Sequence, residues 1–248
     1  FNLAMSISST GAFLPTNELS DLIKSPTQHI VLTIALTFSA LNIYLFYSLF
    51  TNLKIFKKHY EDFAIILTSF FFSLILFFSI EQTTFLNIFS SVVSSLSNSG
   101  LSVYNPPDNF YLLFLFLAIV GGSVISNSSG IKFIRIYILF KSLVFEMFKL
   151  VSPNVVLDQS ILKTEHKINN ETINSSFLIF ICFFISFFLL SSALSAGGIN
   201  FENSFKLSIL TLTNTVNSGL YGLEEIDFSN LLTSSKIFLI IFMVIGKI

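Results

Sequence analysis

Residues 175–196 contain no charged side chain and are long enough to cross a bilayer, whose hydrocarbon core takes about 20 apolar residues in a helix. Four further runs approach that length: residues 28–53, 63–80, 109 onward with an interruption at 121–130, and 228–246. Only 11% of the chain is charged, against roughly 25% in ordinary soluble domains. So few charges cannot cover a water-facing surface, and the sequence predicts an all-α, multi-pass integral membrane protein. Its lipid neighbours are the expected partners of many of the 32 phenylalanines. Cys182 lies within an apolar run and, being the one cysteine, is expected to pack as a small apolar side chain.

Short amphipathic stretches stand between the long runs. Residues 81–97 and 201–215 are too short to span and are followed by small polar residues and glycine. The pattern is Ser97-Asn98-Ser99-Gly100-Leu101 in one copy and Asn217-Ser218-Gly219-Leu220 in another. A third copy, Ser8-Ser9-Thr10-Gly11-Ala12-Phe13, opens the chain. Each has a hydroxyl residue directly before a glycine. The repeat predicts re-entrant helix–loop units between membrane helices. A dehydrated monovalent cation needs oxygen ligands, which rings of backbone carbonyls can supply. Glycine lets a carbonyl point inward at low conformational cost, and the negative end of a short helix behind the loop favours a cation. The candidate ion-filter residues are therefore Ser9, Thr10 and Gly11; Ser97, Asn98, Ser99 and Gly100; and Asn217, Ser218 and Gly219.

The run beginning near residue 109 stops at Gly121-Gly122 and resumes at Ile131. Between them lie Ser126, Asn127, Ser128, Ser129 and Gly130, polar and flexible at mid-membrane depth. Irregular backbone there is tolerated only where protein buries it or water reaches it, and interrupted helices mark transport pathways. These five residues mark a candidate transport pathway.

Charge orients the chain by the excess of basic residues on the cytoplasmic side. Lys54, Lys57, Lys58, Lys141, Lys149, Lys163 and Lys167 fall on one face. The loop face has Lys24 and Lys206 against eight acids: Glu18, Asp21, Glu81, Asp108, Glu202, Glu224, Glu225 and Asp227. An acidic outer mouth concentrates cations. Arg135 stands about one turn past the interruption. It reads either as an interfacial arginine that extends to the headgroups or as a fixed charge lining the inner pathway, since a charge at the bilayer centre costs about 2.5 kcal/mol or more. Lys236 falls inside the last apolar run and is expected to face protein or water. Lys132 is expected to extend to the inner interface, and His29, His59 and His166 to lie in loops or at the membrane boundary. No nucleophile–base pair, metal cluster or phosphate loop is visible, so enzyme chemistry, a bound cofactor and nucleic-acid binding are not expected.

These motifs, in this order and spacing, resemble the TrkH/KtrB family of bacterial potassium-uptake membrane subunits. Residues 4–13 resemble the family's second filter loop, residues 92–101 its third, and Asn217-Ser218-Gly219 its fourth. Gly121-Gly122-Ser123 through Gly130-Ile131-Lys132-Phe133-Ile134-Arg135 resembles its broken helix, and Lys236 through Gly246-Lys247 its last. Against the family pattern, Ser97 and Asn98 replace threonines, Ala12 replaces a second glycine, and Ser128 and Ser129 stand where glycines usually do. The resemblance implies four pseudo-equivalent repeats around a pseudo-fourfold pore, with potassium as the transported substrate at the filter residues. It further implies a gate in the third repeat formed by Ser126, Asn127, Ser128, Ser129 and Gly130 with Arg135, filter support from Lys236, a homodimer, a cytoplasmic nucleotide-binding regulatory ring, and an inner (plasma) membrane location. On this reading residues 1–60 end the second repeat, 61–151 form the third, 152–174 are a cytoplasmic linker, and 175–248 begin the fourth. Both ends of the chain fall inside such units, as in a piece of a longer protein. A sodium-preferring relative and a non-transporting sensor or scaffold of the same fold are the alternatives.

Overall fold

The computed structural model describes residues 2–11, 19, 22–51, 59–81, 83–152, 160–162, 168–215, 219–223 and 231–247. Among these, every regular element is helical. In chain order they are α1 (Asn2–Ser9), α2 (Pro26–Ala40), α3 (Ile43–Thr51), α4 (Tyr60–Ser79), α5 (Phe85–Leu96), α6 (Tyr111–Val120), α7 (Phe133–Val151), α8 (Asn170–Ala196), α9 (Phe201–Leu212) and α10 (Thr233–Lys247). Helices α4 and α8 have the length and apolarity to cross a membrane: at 1.5 Å per residue, the 20 residues of α4 extend about 30 Å, the thickness of the hydrocarbon core.

Local chemistry sets the helix starts. Ser25 Oγ accepts from the Gln28 N–H while Gln28 Oε1 accepts from the Ser25 N–H, and Pro26 occupies the first turn of α2; each device satisfies or removes an orphan donor. At α8 the Asn169 N–H donates to Thr172 Oγ1 at 3.0 Å.

The short helices are enclosed by the long ones. Helix α5 packs against α2, α4 and α6, and α9 against α8, α10 and α6. One apolar core joins Leu76, Val92, Phe114, Leu190 and Leu210, among others; a second joins Ile7, Leu36, Val93 and Leu101. The serine-rich α5 is buried from Ser90 to Leu96. Three of its hydroxyls turn onto their own helix: Ser90 and Ser91 donate to Asn87 O at 2.8 and 2.9 Å, and Ser95 to Ser91 O at 3.1 Å. Large apolar side chains such as Leu67, Phe71, Phe78, Phe188 and Ile240 are exposed on the outside, as expected of a surface solvated by lipid rather than water.

Two expectations about helix bounds are corrected, and two histidines gain internal partners. The run at 28–53 is not one helix: it breaks at Leu41–Asn42 between α2 and α3. The break is held from elsewhere, since the Asn42 N–H donates to Asp62 Oδ1 (2.8 Å) and Ala40 O accepts from the Ser123 N–H (2.9 Å). His29 and His59 are buried and internally bonded. His29 Nε2 shares a hydrogen bond with Ser90 Oγ (3.1 Å), and His59 bridges Ser48 Oγ (2.8 Å) and Asp62 Oδ2 (3.0 Å). His166 lies outside the described residues. The broken helix resumes at Phe133 rather than Ile131, because Gly130 and Lys132 both have positive φ, 85° and 80°.

Candidate functional site

Each of the three short helices ends in the same turn. Thr10, Asn98 and Asn214, just beyond α1, α5 and α9, have φ of 53°, 59° and 52°. Each backbone N–H reaches back three residues, to Ile7, Ser95 and Thr211. The next N–H, of Gly11, Ser99 and Thr215, reaches back five, to Ser6, Ser94 and Leu210. This is a left-handed helix stop of the Schellman type. Asparagine tolerates it better than most residues with a side chain, while a β-branched threonine there is unusual. The hydroxyl before each turn behaves alike: Ser9, Ser97 and Thr213 donate to Ser6, Ser94 and Leu210 carbonyls. Ser97 pairs with Ser99 just as Thr213 pairs with Thr215.

The backbone therefore aligns Ser9-Thr10-Gly11 with Ser97-Asn98-Ser99 and Thr213-Asn214-Thr215. The glycines do not share this register. Gly11 directly follows its left-handed residue, Gly100 follows by two, and Gly219 by five. Gly219 starts a short 3₁₀ turn, Gly219–Tyr221, pressed so closely on the Asn105 side chain that a Cβ would meet its Oδ1 at 2.5 Å. Asn217 and Ser218 lie outside the described residues. The segment after Gly219 is held by Lys206 of α9, whose Nζ donates to Gly222 O at 2.7 Å and to Glu202 Oε1 at 2.6 Å. Lys236 lies in the first turn of α10 rather than deep inside it.

The left-handed residues also tie each turn to neighbouring backbone. Asn98 Nδ2 donates to Ala118 O of α6 (2.7 Å), and Asn214 Nδ2 to Met243 O of α10 (2.9 Å). Three residues further on each partner helix is a glycine in close contact. Gly121 lies against Ser129 O and Gly246 against Leu212 O, with no room for a Cβ at either. The turns after α5 and α9 thus repeat in side-chain detail.

Residues 121–132 form a compact loop between α6 and α7. Gly121, with φ 69° and ψ −177°, takes a conformation open essentially to glycine alone. Inside the loop, Ser128 Oγ accepts from the Gly122 N–H (3.0 Å) and pairs with Ser126 Oγ (2.6 Å). The loop closes on itself where the Ile131 N–H donates to Ile119 O (2.9 Å) and the Phe133 N–H to Gly122 O (3.1 Å). Its first half is held from α4, where Glu61 Oε1 accepts from the Val124 N–H at 3.0 Å. Lys132 does not extend to the interface; its ammonium turns back onto the carbonyls of Ser126 and Ser128. At the loop's apex, Asn127 Nδ2 donates to Ser8 O (2.7 Å), and Asn127 O accepts from Thr10 Oγ1 and Lys247 Nζ, both at 3.1 Å.

Beside the loop is a cleft of about 540 Å³ lined by Ser126 through Lys132, Arg135, Cys182, Phe183, Gly246 and Lys247, with other residues. Arg135 is half-buried there and donates to Ile131 O at 3.4 Å. Cys182 is exposed on this cleft rather than packed in the core. The structure thus joins Ser8 and Thr10 to Asn127 of the candidate gate residues Ser126, Asn127, Ser128, Ser129 and Gly130, and places Arg135 beside that loop. Sequence reasoning missed Lys247, Glu61 and Lys206 as residues that hold these loops. The available signal was position: Lys247 and Lys206 are isolated charges beside apolar stretches, and Glu61 precedes one.

The overall arrangement matches the crystal structure of the potassium transporter TrkH from Vibrio parahaemolyticus with a TM-score of 0.83, at 22% identity, over 98% of this chain and 54% of that one. The fold is the TrkH fold. It is an all-α membrane fold in which re-entrant helices alternate with long ones. In sequence the chain is 28% identical over 240 residues to the Trk system potassium uptake protein TrkH of Escherichia coli, covering 90% of this chain and 48% of that protein. It is 24% identical over 175 residues to an uncharacterized cation transporter of Methanocaldococcus jannaschii, covering 69% of this chain and 36% of the relative. The chain therefore spans about half or less of the length of these curated relatives. No family model matches the sequence. The TrkH likeness runs through all three re-entrant units and the interrupted helix between α6 and α7, since the structural match covers nearly the whole chain.

Proposed function

We propose that this chain lines a pathway for monovalent cations, with potassium as the transported ion. The observation that carries the reading is the threefold recurrence of one turn, at Thr10, Asn98 and Asn214, each at the C-terminal end of a short helix within the bundle. Helix C-termini present partial negative charge, and the loops that follow supply the carbonyl and hydroxyl oxygens that replace a cation's hydration shell. Ser9, Thr10, Gly11, Ser97, Asn98, Ser99, Gly100, Asn217, Ser218 and Gly219 are the proposed filter positions, with Thr213 and Thr215 added by the backbone register. The names of the relatives, a potassium uptake protein and a cation transporter, support the same reading.

The loop at residues 121–132 is the proposed gate. Its internal bonds, its three glycines without room for a side chain, and the contacts of Glu61, Lys132 and Lys247 support a closed plug. Arg135, Lys132 and Lys247 place three positive charges on the adjacent cleft, and a fixed positive charge repels a cation while the plug is in place. Residues 1–60, 61–151 and 175–248 are the proposed second, third and fourth units of a four-unit pore, joined by a cytoplasmic linker at 152–174. The complete protein is proposed to be a homodimer in the inner membrane, regulated by a cytoplasmic nucleotide-binding ring.

The test is rubidium uptake by the complete protein in a cell lacking its own potassium uptake, with sodium as competitor. Uptake that potassium suppresses and sodium does not is expected. Arg135→Ala is expected to raise the basal leak. Correct membrane insertion with no rubidium or sodium flux would instead support a sensor or scaffold role.

A further inference from the structure

We propose that Asn127 couples the gate loop to the filter loop after α1, so that opening and ion choice are linked through one residue. The inference rests on the reading of residues 121–132 as the gate and of Ser9, Thr10 and Gly11 as filter. What it adds is a physical connection between the two, made at both polar ends of one residue.

The Asn127 amide donates to Ser8 O at 2.7 Å, at the last turn of α1. Its own backbone carbonyl accepts from Thr10 Oγ1 at 3.1 Å. Lys247 Nζ reaches the same carbonyl at 3.1 Å and Thr10 Oγ1 at 3.4 Å. Thr10 is the residue whose backbone turns the chain out of α1, with φ 53°. For a β-branched side chain this conformation is strained and persists only when the surroundings hold it. The Thr10 hydroxyl also donates to Ser9 O at 2.7 Å, so its placement bears directly on a candidate filter carbonyl. In the third and fourth units the corresponding residues, Asn98 and Asn214, anchor to helix carbonyls at Ala118 and Met243. In this second unit the long-range anchors are the gate loop itself and Lys247.

The consequence follows from linkage. If the loop leaves the pathway, Asn127 leaves with it. Ser8 O and Thr10 Oγ1 then lose their contacts to the gate loop, and the strained turn at Thr10 is freed to relax. Ion occupancy that favours one geometry of the Ser9 and Thr10 carbonyls must, by the same coupling, favour one position of the loop. Asn127 is a positioning residue in this scheme: it acts on the ion through the Thr10 turn.

Glu61 provides the comparison. It holds the same loop at Val124, so Glu61→Ala loosens the loop from the other side and leaves the Ser8 and Thr10 contacts in place. The experiment measures rubidium uptake by the complete protein, together with the sodium concentration that halves it, for Asn127→Ala, Thr10→Val and Glu61→Ala. Expected is faster uptake in both Asn127→Ala and Glu61→Ala, with the sodium-to-rubidium competition ratio shifted about five-fold or more in Asn127→Ala and Thr10→Val only. Thr10→Ser, which keeps the hydroxyl, is expected to restore the parental ratio. Faster uptake in both loop variants with unchanged competition overturns the coupling and leaves the gate standing. No increase in either overturns the gate reading and the coupling with it. Should Asn127→Ala fail to reach the membrane, Thr10→Val carries the same test from the filter side, an unchanged ratio overturning the proposal.

Discussion

Gly121→Ala is the sharpest probe of the loop between α6 and α7. Two separate costs meet at this position. Its backbone, at φ 69° and ψ −177°, is one that a residue with a Cβ adopts at about 1–3 kcal/mol. The added Cβ would also be driven into the Ser129 carbonyl on the opposite limb of the loop, and overpacking against atoms that cannot rotate away costs about 1–3 kcal/mol more. The loop arrangement described above is thus disfavoured by about 2 kcal/mol at the least, which shifts a closed–open equilibrium roughly thirty-fold. Gly198 is the control: its φ of 90° carries the backbone cost, but a Cβ there meets nothing within 4 Å. The assays are thermal unfolding in detergent and basal rubidium leak in cells. Gly121→Ala is expected to unfold at a lower temperature than Gly198→Ala and, alone of the two, to leak. Equal melting temperatures and equal leaks in the two variants would refute the argument that the loop is closed by contact between its own limbs.

Two other substitutions test the scaffold around the loops. Asp62→Ala removes a buried carboxylate that accepts from the Asn42 N–H and bonds His59, leaving two buried groups unpaired at about 1–3 kcal/mol each; a clear drop in melting temperature is expected, and a drop within measurement error contradicts the assigned role at the α2–α3 break. Lys206→Met removes the ammonium that holds Gly222 O. With a charged hydrogen bond worth about 1.5 kcal/mol or more, the KM for rubidium is expected to rise up to roughly tenfold, while an unchanged KM would detach this lysine from the outer mouth.

The membrane helices and the re-entrant units were legible because their signal is local. A run without charges, as in α8, has no other place to bury its surface than lipid or a core. A short amphipathic stretch capped by small polar residues, as in α5, cannot span. The interruption after α6 was equally plain, since two glycines followed by a serine-rich stretch cannot continue an apolar helix. What could not be read was every feature fixed by a distant partner. Asn42 looks like one polar residue in a long apolar run; the break there depends on Asp62 and on the Ser123 N–H, far along the chain. His59 reads only as a boundary or loop residue because its burial against Asp62 is a property of the packed α3–α4 junction. The true register of the three turns was hidden for a related reason. Glycine marks the copies to the eye, but the left-handed position is taken by Thr10, Asn98 and Asn214, whose conformation is set by the hydrogen bonds closing each helix end.

The sequence alone determined that this chain is helical, apolar and built from repeated helix–loop units, since composition and periodicity dictate which backbone groups must be satisfied within a helix and which surface must be hidden from water. The tertiary structure alone decided which loops meet. Thr10, Asn127 and Lys247 come from three distant parts of the chain, and nothing in their local sequence favours one partner over another. They converge because α1, the α6–α7 loop and α10 are each fixed by their own packing, and the hydrogen bonds form between the polar groups that this packing leaves facing one another.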